Sequence, residues 1–335
     1  MDFKNFWYVA AESHEVKGNK PYSVSIHDEW IVLFRNSSGQ VAALQDRCLH
    51  RSSRLSKGHL KNGELTCPYH GWKYNFEGKV IHVPSEGTTT RNRCAKTYQV
   101  IEKDNYIYLQ LSPSQFDLKP FSMSCYQKKN YTTIRLQNIF ENTVTNCAEN
   151  FLDIPHTTFV HPSIFRNSKN EEMSAVIERK KGHVKVTYLG EKSDFGLFSW
   201  FLNPHKKEII HTDEFFMPNV TMVNYWFGNK HFIITSQSVP IDHKTTKVYT
   251  DLTYNYGFWN LIVKPVIRWQ GQAIIDQDIE ILKNQSETIQ KYGAHFQNSP
   301  ADLIHTFIES IQHEIEQGRD PNLLPEKEGK INFWV

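Results

Sequence analysis

Two cysteine–histidine pairs are the residues of this chain best suited to chemistry. Cys48 and His50 form a C-x-H pair. After residues 51–66, Cys67 and His70 form a C-x-x-H pair. Two thiolates and two imidazoles match the ligands of a [2Fe–2S] cluster in which one iron takes both cysteines and the other takes both histidines. Because each pair supplies one ligand of each kind, two loops must approach the cluster from opposite sides.

A zinc site with two cysteines and two histidines is the alternative for the same four residues. Zinc fingers pair like ligands, with two cysteines close together in the sequence and then two histidines. Each pair here mixes thiolate with imidazole, so the sequence favours the iron–sulfur cluster. Three glycines, Gly58, Gly63 and Gly71, are expected to allow the tight turns that two converging loops require.

A second candidate metal site lies in residues 146–161, which read NCAENFLDIPHTTFVH. His156 and His161 are separated by a spacing that points two side chains to different faces of a regular helix. They can share one metal only if the helix breaks near them, and Pro155 and Pro162 favour such a break. Two imidazoles, a carboxylate and open coordination positions suit non-haem Fe(II) and oxygen.

The third ligand is expected to be a carboxylate from residues 269–285, WQGQAIIDQDIEILKNQ. If this segment is helical, Asp278 shares one face with isoleucine and leucine side chains. Asp276 and Glu280 instead lie among polar and charged neighbours, as solvated residues do. A buried carboxylate needs a partner, and a metal ion is a good one. A carboxylate at the edge of the helix, without a metal, remains the alternative for Asp278.

The two sites together resemble the catalytic α subunit of the Rieske non-haem iron oxygenases. CLHR and CPYHGW are similar to the family's C-x-H-R and C-P-Y-H-G-W, and Asp278 and Gln285 fit its D-x₆-Q pattern. The family pattern E/D-N-x-x-D-x-x-H-x₄-H matches five residues, Glu149, Asn150, Asp153, His156 and His161. Ser52-Ser53 and Leu49 depart from the family's common Gly-Ala and Pro. In length the chain resembles dicamba and vanillate demethylases, 3-ketosteroid hydroxylase and cyanobacterial alkaloid hydroxylases.

The resemblance implies a role for each candidate residue. Cys48, His50, Cys67 and His70 would bind the Rieske cluster. His156, His161 and Asp278 would hold a mononuclear Fe(II). Asp153 would bridge that iron and the cluster of a neighbouring subunit in a homotrimer, with electrons passing from the cluster through Asp153 to the iron.

The implied function is that of an oxygenase. It would use O₂ and external electrons to hydroxylate or oxidatively demethylate a small or medium hydrophobic ring compound. The sequence has no G-x-G-x-x-G, no plant-type ferredoxin spacing and no flavin motif. A separate NAD(P)H-dependent reductase, with or without a ferredoxin, is therefore expected. The alternatives are a Rieske electron carrier without oxygenase chemistry and a binding protein with a vestigial iron site.

Composition sets the remaining expectations. The chain has 335 residues, a length that suggests two domains. Its formal net charge is +2, and no basic stripe argues for binding to nucleic acid. No apolar run is long enough to span a bilayer, and the start lacks the apolar core of a signal peptide. Five cysteines, two of them candidate ligands, favour a reducing cytoplasm, and Cys94, Cys125 and Cys147 are expected to be buried apolar residues.

An α+β fold follows from the pattern of short elements. Residues 1–112 are expected to form an all-β Rieske [2Fe–2S] domain. Residues 113–335 are expected to form the catalytic non-haem iron domain, with one antiparallel sheet flanked by helices over about 266–291 and after Ser299. Aromatic side chains at 195–201 and 215–232 could line an apolar pocket or fill the core of the sheet.

Overall fold

The computed structural model describes residues 1–87, 92–162, 172–190 and 209–334. The chain forms two compact units. The N-terminal unit consists of Lys4–Ser122 and Ile241–His243, and the C-terminal unit of Met1–Phe3, Met123–Pro240 and Lys244–Val335. The domain boundary after residue 112 stays a prediction. Within the described residues, no helix combines the length and the apolar character that crossing a membrane requires.

The N-terminal unit is built from short antiparallel strands in three sheets, in the orders β1-β10-β9, β2-β3-β4 and β5-β6-β7-β8. The strands are β1 (Trp7–Glu12), β2 (Tyr22–Ile26), β3 (Glu29–Arg35), β4 (Val41–Gln45), β5 (His59–Lys61), β6 (Glu64–Thr66), β7 (Lys73–Tyr74), β8 (Val80–His82), β9 (Gln99–Lys103) and β10 (Tyr106–Gln110). The hairpin between β9 and β10 turns at Asp104 and Asn105, which both have positive φ. Asparagine and aspartate tolerate that conformation better than other non-glycine residues.

One buried carboxylate, Asp46, holds together the two ends of the loop that carries Cys48 and His50. Asp46 accepts hydrogen bonds from the Arg54 guanidinium at 2.8 Å and from the Ser56 backbone N–H at 2.6 Å. Its side chain is fully buried, so these donors replace the water that an ionised carboxylate would otherwise need. The bonds tie the start of the loop at Asp46 to its end at Ser56.

Gly58 is required by a close approach of two backbones. Its φ is −83°, so the residue does not occupy the left-handed region that Gly63 and Gly71 adopt. A Cβ on Gly58 would lie 1.9 Å from the carbonyl oxygen of Thr66. Because Thr66 precedes Cys67, any shift of that strand would move a candidate ligand.

Gly58→Ala is therefore expected to destabilise the N-terminal unit by about 1–3 kcal/mol and to lower the amount of bound cluster, since the backbone must move to relieve the overlap. Thermal unfolding and iron analysis measure both effects. Gly18→Ala is the matched control, because a Cβ at Gly18 meets nothing within 4 Å. Equal stability and cluster content in the two variants would contradict the proposed close packing.

The C-terminal unit contains an eight-stranded antiparallel sheet in the order β11-β17-β16-β15-β14-β13-β12-β18. The strands are β11 (Thr132–Phe140), β12 (Glu172–Lys180), β13 (His183–Leu189), β14 (Ile209–Phe216), β15 (Val220–Phe227), β16 (Lys230–Pro240), β17 (Thr246–Asn255) and β18 (Lys327–Trp334). The helices are α1 (Val144–Leu152), α2 (His156–Val160), α3 (Asn260–Tyr292) and α4 (Leu303–Glu316). This arrangement confirms the predicted α+β fold.

Helix α3 is longer than predicted. It begins at Asn260 and continues through Pro265 to Tyr292, where Gly293 ends it with a φ of 84°. One side packs on the sheet core through residues such as Ile267, Ile275 and Leu282. The start of α4 agrees more closely with expectation, because Ser299 and Asp302 form a capping box ahead of it.

The cysteine prediction holds for two residues of three. Cys125 and Cys147 are buried, whereas Cys94 is exposed. The Cys94 thiol lies within 3.4 Å of the Glu77 carbonyl oxygen at the surface of the N-terminal unit. The prediction for Cys94 is therefore wrong, because the residue lies in an exposed β-bridge with Lys79, where the apolar character of the side chain is not required.

Candidate metal centres

The two loops of the N-terminal unit that carry the cysteine–histidine pairs have the same hydrogen-bond pattern. In the first loop, the Cys48 N–H donates to the Ser53 carbonyl at 2.8 Å, and the Ser52 N–H donates to the Cys48 carbonyl at 3.0 Å. In the second loop, the Cys67 N–H donates to the Trp72 carbonyl at 2.8 Å, and the Gly71 N–H donates to the Cys67 carbonyl at 3.2 Å. Each loop thus closes around its cysteine in the same way.

The matching turns explain one departure from the family pattern. Ser52 and Gly71 occupy equivalent positions, and both have positive φ, at 58° and 69°. Glycine is the residue most at ease in this conformation, which accounts for the common glycine at the position of Ser52. Here the Arg47 side chain donates a 3.0 Å hydrogen bond to the Ser52 hydroxyl, which helps to hold the turn.

The four candidate cluster ligands converge, with sulfur on the inside and imidazole on the outside. Cys48 and Cys67 are buried at 1% and 2% exposure. The rings of His50 and His70 lie 4.4 Å apart, and His70 is exposed. His50 stacks on Trp72, and its Nδ1 is buried without a hydrogen-bond partner. A buried nitrogen that lacks a donor or acceptor fits a metal-ligand role.

Tyr74 is a cluster-site residue that the sequence analysis does not identify. Its hydroxyl lies 3.2 Å from the Cys48 sulfur and accepts a hydrogen bond from the Leu49 N–H at 3.0 Å. Burial and the contact with Cys48 hold the pKa of Tyr74 well above its usual value, so the hydroxyl keeps its proton and can donate it to the sulfur. Hydrogen bonds to cluster sulfurs are among the factors that set the reduction potential.

The second candidate site is built where α1 ends and α2 begins. Asp153 follows α1 in an extended conformation, and α2 starts at His156 directly after Pro155. His161 lies just beyond α2, with φ −119° and ψ 58°. The helix therefore breaks before His161, and this break lets two histidines five positions apart face the same point.

Three side chains from different elements meet at that point. The Nε2 atoms of His156 and His161 lie 3.6 Å and 3.1 Å from the same oxygen, Oδ1 of Asp278 on α3. One ligand atom from each residue lies within 4.8 Å of the others. Asp278 is 6% exposed, while Asp276 and Glu280 on the same helix are exposed. The helix phase inferred from the sequence is thus the observed one.

The hydrogen bonds on the far side of each imidazole show that this group fits a cation. His156 Nδ1 contacts the Asp153 carbonyl oxygen, and His161 Nδ1 lies 2.7 Å from Oε1 of Gln277. Each acceptor holds a proton on Nδ1, which leaves Nε2 with a lone pair. Two nitrogen lone pairs and a carboxylate oxygen then face one another. Asp278 Oδ1 is buried without a hydrogen bond, and a divalent metal would satisfy all three atoms.

The charges of the three side chains also favour a bound cation. Burial lowers the pKa of His156, but the carboxylates of Asp153 and Asp278 outweigh it and raise the pKa to about 9. Burial raises the pKa of Asp278, but the two imidazoles outweigh it and lower the pKa. The site therefore attracts positive charge, either as a proton or as a metal ion.

A largely apolar cavity of about 140 Å³ opens onto these three residues. Strands β14–β17 supply most of its floor, and α3 supplies part of its wall through Ile267, Gly271, Ile274 and Ile275. Of the aromatic side chains considered from the sequence, Tyr225, Phe227 and Phe232 line the cavity, whereas Phe215 is buried in the sheet. The segment 195–201 lies outside the described residues.

Two further residues support the site without a signal in the sequence. Gln277 contacts His161 across 116 positions of the chain. Asn142 donates to the Leu282 carbonyl at 2.8 Å and to Gln285 at 2.9 Å, and thereby ties the start of α1 to α3. Gln285, expected from the family pattern, thus positions α3 and does not approach the three candidate ligands by any hydrogen bond described.

Separate ligand sets lead to a direct prediction. Cys48→Ser is expected to abolish the visible absorption of the cluster, because a serine hydroxyl is a much weaker iron ligand than the thiolate it replaces. His156→Ala is expected to leave that absorption unchanged. Cys94→Ser is the matched control for Cys48→Ser, since Cys94 is an exposed thiol of the same unit. A folded His156→Ala protein without the cluster spectrum would contradict the two-site assignment.

Comparisons with known proteins agree with this division. The Rieske [2Fe-2S] domain family matches residues 6–99, and the vanillate O-demethylase oxygenase C-terminal domain family matches residues 141–305. The chain is 32% identical over 161 residues to the oxygenase component of dicamba O-demethylase from Stenotrophomonas maltophilia, which covers 47% of each chain. It is 26% identical over 305 residues to the methylxanthine N1-demethylase NdmA from Pseudomonas putida, covering 82% of this chain and 83% of the relative.

Several of the relatives are matched over only part of their length. The iron-sulfur subunit TsaM1 of the toluene-4-sulfonate monooxygenase system of Comamonas testosteroni is 27% identical over 208 residues, which are 61% of this chain and 57% of the relative. The chain thus spans about half the length of several curated relatives that it matches. Among solved structures, dicamba monooxygenase bound to dicamba superimposes with a TM-score of 0.81 at 21% identity, covering 94% of this chain and 98% of the other.

The two family matches cover the two groups of candidate ligands, one in each unit. The dicamba monooxygenase structure shares the fold over 94% of this chain. The chain belongs to the Rieske non-haem iron oxygenases, whose α subunits carry a Rieske [2Fe–2S] cluster and a mononuclear iron.

Proposed function

We propose that this protein is the oxygenase component of a multi-part monooxygenase. It uses O₂ and externally supplied electrons to hydroxylate or oxidatively demethylate a small or medium hydrophobic ring compound. Cys48, His50, Cys67 and His70 are the proposed ligands of the cluster. His156, His161 and Asp278 are the proposed ligands of the mononuclear iron.

The observation that supports this proposal most strongly is the position of the three acceptor atoms in the wall of an apolar cavity. Two histidines and one carboxylate on one side of a metal leave positions open for oxygen. When bound, the iron supplies oxygen activation and the cluster supplies single electrons. A site meant only to stabilise the fold would have closed coordination and no adjoining cavity.

The side chains of the C-terminal unit have three tasks in this scheme. The Asp153 backbone carbonyl and the Gln277 side chain hold the imidazoles of His156 and His161 in one orientation, with a proton on each Nδ1. The apolar floor, which includes Val223, Ile234 and Leu252, binds a hydrophobic ring and keeps water from the reacting carbon. Related demethylases act on dicamba and on methylxanthines, and a ring compound of that size is the proposed substrate class.

The electrons must come from another protein. Neither a dinucleotide fingerprint nor a plant-type ferredoxin spacing is present in the sequence. We infer an NAD(P)H-dependent reductase, with or without a ferredoxin, as the partner. The exposed edge of His70 supports an approach of a redox partner to the cluster.

Assembly and location are also proposals. By family resemblance, the oxygenase is a homotrimer in which the cluster of one subunit serves the iron of the next. A heterologous contact of this kind closes into a ring when the rotation allows it. A reducing cytoplasm is the proposed location, because none of the five cysteines forms a disulfide.

A screen of ring compounds for coupled consumption tests the proposal. The protein is supplied with NADH and a generic reductase, and oxygen uptake is compared with NADH oxidation for each compound. A substrate is expected to raise both rates together and to yield a hydroxylated or demethylated product. The pure electron carrier is the second candidate, and it predicts two irons for each chain, whereas the oxygenase predicts three. A protein that binds only two irons after reconstitution would exclude the oxygenase.

A further inference from the structure

The first half of α3 and the turn before it expose a continuous group of large apolar side chains. Phe258 is 85% exposed, Leu261 77% and Trp269 70%. We call the group the α3 patch, and it consists of Phe258, Trp259, Leu261, Ile262, Val266 and Trp269. Single exposed apolar residues are normal, but contiguous ones mark an interaction surface.

Helix geometry places these residues on one side. Ile262, Val266 and Trp269 follow the i, i+4, i+7 spacing that lines up side chains on one face. The opposite face packs on the sheet core through Val263, Ile267 and Ile275. This half of α3 is therefore apolar on both faces, a pattern expected of a helix that is covered on both sides.

Basic side chains lie beside the α3 patch. Lys264 and Arg268 are exposed on the helix itself, and Arg268 also donates a 3.2 Å hydrogen bond to the Arg135 carbonyl of β11. The Asn260 amide donates a 2.8 Å hydrogen bond to the Asn130 carbonyl, which places the turn with Lys128 and Lys129 at the start of the helix. Lys230 is close as well, since its ammonium group lies 5.6 Å from the ring of Tyr256, just before the α3 patch.

The charge of this surface has one sign. Residues 126–131, 228–231 and 255–275 contain these five basic side chains and no aspartate or glutamate. The histidine in the second segment, His231, adds no positive charge at neutral pH, because burial and Lys128 lower its pKa to about 4. An apolar surface with this rim is complementary to an anionic one.

We propose that the α3 patch docks on an anionic lipid surface. Tryptophan and phenylalanine sit well at the boundary of headgroups and acyl chains, and lysine and arginine reach from that depth to lipid phosphates. A two-fold contact with a second copy of this chain is a poorer fit, because it would place the same five cations opposite one another, and light scattering distinguishes a head-to-tail contact from lipid docking. Docking of this kind is peripheral and needs no helix that spans the bilayer.

A consequence follows for the substrate, and this step alone rests on the proposed function. The inner face of the same helix lines the cavity through Ile267, Gly271 and Ile274. The helix thus has lipid on one side and the cavity on the other. A ring compound that partitions into membranes would be concentrated at the surface from which this enzyme takes it.

Flotation of the intact protein with lipid vesicles tests the docking without any substrate. The wild-type protein is expected to float with vesicles in which about a third of the lipid is phosphatidylserine, and to remain behind with pure phosphatidylcholine. Added salt is expected to weaken the binding, because exposed charges are screened. Wild-type protein that fails to float with the anionic vesicles would overturn the proposal.

Matched variants locate the binding surface. The double variant Phe258→Glu, Trp269→Glu is expected to lower vesicle binding at least about tenfold. The control is Leu323→Glu, Trp334→Glu, which changes two side chains of similar exposure, 81% and 63%, elsewhere in the same unit. The cluster spectrum and the thermal unfolding curve report whether each variant is folded.

The charge-reversal variant Lys264→Glu, Arg268→Glu is an independent test, because it leaves the apolar side chains in place. It is expected to lose binding to the same vesicles. Equal binding by the α3 variants and the control would show that lipid binds elsewhere and would reject the α3 patch as the docking site. If the α3 variants instead lower the oligomeric mass in light scattering, and the wild-type protein ignores vesicles, a second copy of the chain covers the patch and the lipid proposal is wrong.

Discussion

Asp278→Ala is expected to remove the mononuclear iron and leave the cluster irons in place. Asp278 Oδ1 faces the Nε2 atoms of both candidate histidines, and its loss leaves only two neutral ligands for a dication. Two imidazoles without the carboxylate do not complete the three-ligand set of such sites. Iron analysis is expected to fall from three irons per chain to two, with the cluster absorption as an internal standard.

Asp276→Asn is the matched control for this experiment. Asp276 lies two positions away on the same helix, is exposed, and accepts a hydrogen bond from Gln272 at 2.8 Å. Its replacement changes the same kind of side chain without touching the candidate site. Full iron content in Asp278→Ala, or loss of iron in Asp276→Asn, would show that a different carboxylate completes the site.

The part of the site that the sequence predicts is the part governed by local geometry. The members of each pair, Cys48–His50 and Cys67–His70, are close in sequence, and the mixed pairs favour an iron–sulfur cluster over a zinc site before any fold is known. Asp278 is distinguished from Asp276 by helical periodicity alone, since only one of the two lies on the apolar face.

The contacts that the sequence does not predict cross long stretches of chain. Gln277 reaches His161 over 116 positions, and Tyr74 reaches Cys48 over 26 positions. No period or motif marks such partners, because they depend on how separate elements pack. The requirement for glycine at position 58 is also hard to predict from the sequence. It arises from the nearby Thr66 carbonyl and not from an unusual φ.

The fold shows the same division. The β-rich runs 220–227 and 247–254 predict strands, and they coincide with β15 and nearly with β17. Strand β18 is not predicted, because it is an edge strand in which apolar alternation is limited to Ile331 and Phe333, after a mostly charged start. The sequence likewise gives no account of why the first half of α3 is apolar on its exposed side, a feature that only the structure distinguishes from core.

Asp153→Asn is expected to keep both metals and to lower turnover by about 10–100-fold, the range typical of residues that support metal ligands. Its carbonyl and its carboxylate both contact His156, with the carboxylate 3.6 Å from Nδ1. The amide keeps the shape of the side chain and removes its charge. Iron analysis, the cluster spectrum and turnover with a substrate from the screen separate metal loss from loss of coupling.

The location of Asp153 in the proposed ring is tested with mixed trimers. Cys48→Ser subunits retain the iron site alone, and His156→Ala subunits retain the cluster alone. In a head-to-tail ring that contains both, one of the three interfaces pairs an intact cluster with an intact iron site. Mixed trimers are therefore expected to show about one third of wild-type turnover. Mixed trimers that bind both metals and show no turnover would place transfer within one chain.

Adding Asp153→Asn to either subunit then identifies which copy of the residue acts. On the Cys48→Ser subunit, the change lies next to the working iron site, and we expect the recovered turnover to be lost. On the His156→Ala subunit, it lies next to an empty site, and we expect turnover to be unchanged. A purely structural role for Asp153 predicts equal effects on both, because each subunit must fold to complete the ring. Unequal effects would therefore show that Asp153 couples the iron site of its own chain to the cluster of the neighbouring subunit.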